Sequence, residues 1–197
     1  MTGISRGRWS RASWLCLAAA ACGGPPTPGS KGVEPSAARA IPLSSALVLE
    51  TAGPPPADTV VSFMAGEAHT IVLRHGPPEN VVFAEVSFPA DAFRADSGRL
   101  VEVEVRPRPG VYGLEVVTSV PLGEGASIVF KYPRYFSAPA RARAVYGSDV
   151  LYERALVVGQ LLPDGPLLSL LPSTRPAADN LRAPLPGSGI YLVAAPQ

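Results

Sequence analysis

The 197-residue sequence predicts an all-β domain, an antiparallel two-sheet β-sandwich, and three observations predict it. Short apolar runs are punctuated by Gly, Pro, Asp and Asn about every eight to twelve residues, the rhythm of strands joined by tight turns. Residues 100–106 alternate strictly, which puts Val101, Val103 and Val105 on one face and Glu102, Glu104 and Arg106 on the other, as a half-buried strand requires. No twelve-residue window carries an amphipathic helical pattern. Residues 177–181 could form one helical turn, bounded by Pro176 and Pro184.

Taken from the start of the chain, residues 1–21 read as a signal peptide. Arg6, Arg8 and Arg11 precede an apolar run at 14–21, far shorter than the roughly 20 residues with which an α-helix crosses a bilayer. Removal is therefore expected, not a retained span. Ala19-Ala20-Ala21-Cys22 resembles the lipobox of bacterial lipoproteins, although Ala19 stands where that family usually has Leu, Val or Ile. The resemblance implies a cut before Cys22, a diacylglycerol on its sulfur, and a lipid anchor in the bacterial envelope. Gly23 is not the Asp that retains lipoproteins in the inner membrane of some bacteria, so the outer membrane is preferred. A plain Ala-x-Ala cut, with secretion, is the other reading. If the cut precedes Cys22, Cys16 leaves with the leader and Cys22 is consumed, so no disulfide contributes to stability. Loss of the three leader arginines takes Lys plus Arg from 17 to 14 against 16 Asp plus Glu, moving the formal charge from +1 to −2. That balance argues against nucleic acid or an anionic membrane surface as an electrostatic partner.

Residues 22–43 read as a lipid-anchored, Pro/Gly-rich linker. Between Gly23 and Pro42 stand five prolines and four glycines with almost no large apolar residue, too little to offset the entropy of ordering the chain. The sandwich is expected over residues 44–197, with strands at 46–49, 59–64, 70–74, 81–88, 100–106, 111–118, 127–132, 142–146, 151–158, 167–171 and 189–194. Asp164-Gly165, between two apolar runs, is the clearest hairpin signal.

Val86-Ser87-Phe88-Pro89-Ala90-Asp91-Ala92-Phe93 resembles the strand and apolar-Pro-Ala-x-Ala-apolar turn that open ZU-type β-sandwich domains. Residues 127–132 are similar to that family's strand ending in tyrosine, and 189–193 to its closing strand. Pro121-Leu122-Gly123-Glu124-Gly125 is shorter than the family's approach to the tyrosine strand, and neither histidine lies near Pro186-Gly187-Ser188-Gly189, where some relatives cleave themselves. The resemblance implies a sandwich used for contacts and not for chemistry.

Catalytic signals are sparse, and the sequence nominates no catalytic residue, metal ligand or cofactor. His69 and His75 are the only histidines; on one strand they would stand about 20 Å apart at roughly 3.3 Å per residue, too far to share a metal ion. There is no Gly-x-Ser-x-Gly elbow, and Gly123-Glu124-Gly125 has no helix after it to cradle a phosphate. Asp149 and Glu153 flank Tyr152 as an exposed strand edge would. The best binding candidate is Tyr132-Pro133-Arg134-Tyr135-Phe136, because Tyr132, Arg134, Tyr135 and Phe136 on a proline-stiffened loop could stack on sugars or anchor an interface. Its alternative role is to cap the end of the core.

The function expected is that of a non-enzymatic envelope lipoprotein presenting a β-sandwich to envelope protein or polysaccharide. Two other readings stay open. One is a secreted β-sandwich hydrolase with a site of scattered carboxylates; the other is a structural subunit of an envelope assembly, marked by a large exposed apolar patch.

Overall fold

The computed structural model describes residues 39–197. The signal peptide, Cys22 and the linker as far as residue 38 lie outside the described residues. In chain order the elements are β1 (Arg39–Pro42), β2 (Ala46–Val48), β3 (Glu50–Thr51), β4 (Thr59–Met64), β5 (His69–Arg74), β6 (Val82–Phe88), β7 (Leu100–Pro107), β8 (Gly113–Thr118), β9 (Ser127–Lys131), β10 (Phe136–Ser137), α1 (Ala140–Tyr146), α2 (Asp149–Ala155), β11 (Val157–Leu161), β12 (Leu167–Leu170), β13 (Asn180–Pro184) and β14 (Gly189–Pro196).

Two antiparallel sheets face each other, as the sequence predicts. The larger runs β1-β12-β11-β14-β8-β7-β4, with β2 joined to the far end of β14; the smaller runs β13-β9-β6-β5. A short β10-β3 ladder stands apart. Alternation decides which side chains meet between the sheets. Val101, Val103 and Val105 are fully buried, opposite Phe63, Val61 and Thr59 of β4, while Glu102, Glu104 and Arg106 face outward. The smaller sheet contributes Ile71, Leu73, Val86, Phe88, Ile128, Phe130 and Leu181 to the same core. Its outer face is polar, with Lys131 Nζ 2.5 Å from Glu85 Oε1 and Thr70 Oγ1 donating to Ser87 Oγ at 3.3 Å.

β14, like the short β2 beside it, is apolar on both faces. Tyr191, Val193 and Ala195 point into the main core, whereas Leu192 and Ala194 belong to a second cluster with Ile41, Ala46 and Leu168. The chain segment from β1 through β2 lies over this outer face, and this explains why the fold begins earlier than composition indicates. Residues 39–42 were expected within the linker; they instead form an edge strand paired with β12, Ile41 opposite Leu168. One buried isoleucine in a Pro-rich stretch gives no periodic signal, yet ladder bonds and a partner leucine suffice to order it.

Two expected strands are corrected to helices. Residues 142–146 fall in α1 and most of 151–158 in α2, with only the last two residues of the latter opening β11. The reason is local. Gly147 ends α1 in the left-handed region at φ 75°, its N–H closing on the Arg143 carbonyl, and Ser148 caps α2 by accepting from Leu151 N at 3.2 Å. Each helix has only seven residues and buries a single side chain, Ala142 or Tyr152, so a longer helical window averages across the break. The Asp164-Gly165 hairpin forms between β11 and β12, where Leu162 N donates to the Leu167 carbonyl at 2.9 Å. No helix among the described residues is long and apolar enough to cross a membrane.

Candidate functional site

The aromatic segment nominated by the sequence follows β9 directly. Lys131 is the last residue of that strand, a 3-10 turn over Pro133–Tyr135 breaks the ladder, and Phe136 opens β10 against Thr51. Tyr132 continues the inward face of Ile128 and Phe130 and enters the core, where it is 1% exposed. Its hydroxyl donates to Glu153 Oε1 at 3.2 Å and accepts from Arg175 Nη1 at 2.5 Å. Burial pushes the phenol's pKa up, against the pull of the Arg175 charge. Arg175 also donates to the carbonyls of Glu153 and, at 3.2 Å, Leu156. A guanidinium is thereby placed on carbonyls at the end of α2, where the helix dipole is negative; that of Glu153 also accepts from Leu156 N at 3.2 Å.

Of the four nominated residues, Tyr132 therefore belongs to the core. Tyr135 is half-buried with its ring edge-on to His75, centroids 4.6 Å apart, and fills the space that a side chain at Gly53 would need. Phe136 bridges Tyr132 at 5.9 Å and Tyr152 at 6.3 Å. Arg134 stays at the surface, its side chain 58% exposed and its Nη2 2.8 Å from Glu79 Oε1. Arg134 is thus exposed, while Tyr135 and Phe136 are both half-buried.

Together these rings extend one aromatic column across the end of the sandwich. His75 meets Phe83 edge-on, Phe83 stacks on Tyr112 at 5.2 Å, Tyr112 meets Tyr132, and Phe136 leads through Tyr152 to Tyr146. Hydroxyls tie the column to the backbone. Tyr152 donates to the Leu47 carbonyl at 3.1 Å, Tyr146 to that of Pro196, and Tyr112 to that of Tyr132 at 3.3 Å. The two helices are thus pinned to β2 and β14 through tyrosines, a role that sequence inspection missed because the helices themselves were read as strands.

The remaining candidates separate in space. His69 opens β5 and stacks on Phe63, centroids 4.4 Å apart. His75 lies one residue beyond that strand, buried, with Nδ1 2.9 Å from the Pro54 carbonyl and Nε2 without a partner. It continues the inward face of Ile71 and Leu73. Asp149 and Glu153 sit on α2 and not on a strand. Asp149 forms a forked pair with Arg143, Nε to Oδ1 at 2.6 Å and Nη2 to Oδ2 at 3.0 Å, which holds its carboxyl below the usual range. Glu153 faces Tyr132. The two carboxylates are therefore committed to different partners. Among the described residues no group of three or more His, Cys, Asp or Glu side chains is arranged to hold a metal ion.

Set beside known protein families, curated proteins and solved structures, the chain matches none of them.

Proposed function

We propose that this chain is an envelope lipoprotein without catalytic activity, anchored through lipid on Cys22 and presenting its β-sandwich to envelope protein or polysaccharide, with the outer membrane as its preferred location. The observation that carries the reading is the sequence from Arg6 to Cys22: a basic head, a brief apolar run, and small residues ahead of a cysteine. The position of β1 fits it. Residues 23–38 separate Cys22 from the first strand, and at a polyproline rise of about 3.1 Å per residue they would reach up to roughly 50 Å, enough to hold the sandwich clear of a lipid surface.

The aromatic end supports a contact role over a chemical one, because its polar groups are spent on the fold itself. Tyr132, Glu153 and Arg175 satisfy one another and the end of α2, while Arg134 and Glu79 stand as a surface pair beside a half-buried ring. Fractionation of bacteria expressing the chain tests the anchor. The unaltered protein is expected in the membrane pellet and released by detergent but not by high salt, whereas Cys22→Ala is expected in the soluble fraction. Equal partitioning of the two would overturn the reading.

A further inference from the structure

The outer face of the large sheet carries an apolar trough that the proposed anchor does not explain. It follows from the doubled apolar character of β14. Because Ile190 and Leu192 point away from the main core, the neighbouring outward residues must shelter them, and they do so incompletely. Leu43, Val48, Val111, Leu161, Ile190 and Leu192 wall an open depression of about 290 Å³ with Arg108 at its rim. A second depression of about 400 Å³ shares Leu161 and Ile190 and runs on to Gln160 and Ser188. The apolar trough is the first of these, with a cation at its rim; Gln160 and Gly189 of the second lie toward the opposite face, where a Cβ on Gly189 would come 2.9 Å from Gln160 Nε2.

The trough's charge discriminates. Leu161 pairs with Ile190, so part of the floor is the β11–β14 strand pair. On the β8 side the trough is bounded by Glu115, the register partner of Ile190, whose carboxylate is 3.6 Å from Arg106 Nη1. Arg106 is shared between Glu115 and Glu104, whose Oε2 lies 2.6 Å from its Nη2. Among the described residues Arg108 has no carboxylate within ion-pair distance. Its stem is held near the floor by the glycine beneath it: a Cβ on Gly113 would come 3.3 Å from Arg108 Cβ and 2.6 Å from Leu192 Cδ2. An unmatched guanidinium at the mouth of an apolar channel suits a ligand that is anionic at one end and hydrocarbon along the rest.

We infer that this trough binds a single-chain amphiphile with a carboxylate head, a free fatty acid, with the head on Arg108 and the chain lying over Leu161 and Ile190. The site is independent of Cys22 and of the aromatic end, so it stands or falls separately from the proposed function. Titration of the full chain with dodecanoate, 1-dodecanol and dodecyltrimethylammonium, each below its micelle concentration, tests it. Dodecanoate should bind saturably at one site, and dodecyltrimethylammonium should bind more weakly than either of the others. Arg108→Ala should weaken dodecanoate about tenfold, as expected for one charge-assisted contact, and leave dodecanol unchanged. Ile190→Ser should weaken both; if it lowers the melting temperature, Leu43→Gln, in the 3-10 turn before β2, replaces it. No saturable dodecanoate binding, equal loss of acid and alcohol in Arg108→Ala, or tighter binding of the cationic chain would overturn the inference.

Discussion

Gly159→Ala should destabilise this protein, although alanine is ordinarily the better residue in a strand. The backbone gives no reason for a penalty, since Gly159 is not among the residues with positive φ. The obstacle is Leu168. A Cβ built on Gly159 would lie 2.5 Å from Leu168 Cγ, 2.8 Å from Cδ2 and 2.9 Å from Cδ1, against normal carbon contacts of about 3.5–4.0 Å. The whole branched end of the leucine would have to move by close to 1 Å, and it is fully buried between Ile41, Ala46 and Leu192. Overpacking of this kind costs about 1–3 kcal/mol. Stiffening of the unfolded chain by alanine returns about 0.4–1 kcal/mol. A net loss of about 1–2 kcal/mol is expected, read from urea unfolding followed by circular dichroism. Leu168→Ala alone should cost about 2–5 kcal/mol through the cavity it leaves. In the double variant the added methyl meets open space, so its total loss should fall short of the sum of the single losses by about 1 kcal/mol or more. Additivity within about 0.5 kcal/mol, or a Gly159→Ala protein more stable than the parent, would refute the claim that a leucine folded over a glycine organises this outer cluster.

Two further outcomes follow from the aromatic end. Burial pushes the Tyr112 and Tyr191 phenols up to about 12 from the ordinary 10. Because the folded state holds these protons more tightly, their contribution is complete below pH 10 and is lost as pH rises toward 12, of order 2 kcal/mol each. The melting temperature should hold to about pH 10 and then fall. Tyrosinate absorbance at 295 nm should show these phenols ionising only together with unfolding; their early titration in the folded protein would contradict the burial argument. Arg134→Ala and Arg175→Ala should differ sharply in thermal melts. The Arg134–Glu79 pair is exposed and screened by solvent, so its loss should leave the melting temperature nearly unchanged, whereas loss of Arg175 removes the donor shared by the buried Tyr132 hydroxyl and the Glu153 and Leu156 carbonyls, at a cost of about 2–3 kcal/mol. Equal melting temperatures for the two variants would remove the structural role assigned to Arg175.

The parts of the fold written as strict alternation were legible in the sequence. Residues 100–106 are a strand with the inward face expected, 59–64 is a strand as expected, and the Asp164-Gly165 hairpin forms where its turn chemistry places it. The parts decided by partners were not. β13 begins at Asn180 and ends at Pro184, with only Leu181 and Ala183 pointing inward, so its own sequence carries almost no strand pattern; it exists because β9 offers a ladder. The two seven-residue helices escaped notice although Gly147-Ser148-Asp149 spells a stop and a start in succession. At the candidate site, the sequence located the aromatic segment, but reading it as a binding loop passed over the alternation of β9, which turns Tyr132 inward with Ile128 and Phe130. Gly113 and Gly159, isolated inside strand patterns, were the available signal for the outer trough, because such glycines mark a close approach by something else. In both cases that something is a leucine.

The lipid on Cys22 is the claim from which location and reach both follow. Mass spectrometry of the N-terminal peptide of protein isolated from its native membranes tests it most directly. The account predicts a chain that starts at Cys22 and carries the mass of a diacylglyceryl group on its sulfur. A free Cys22 thiol, a different first residue, or residues 1–21 still attached would contradict it.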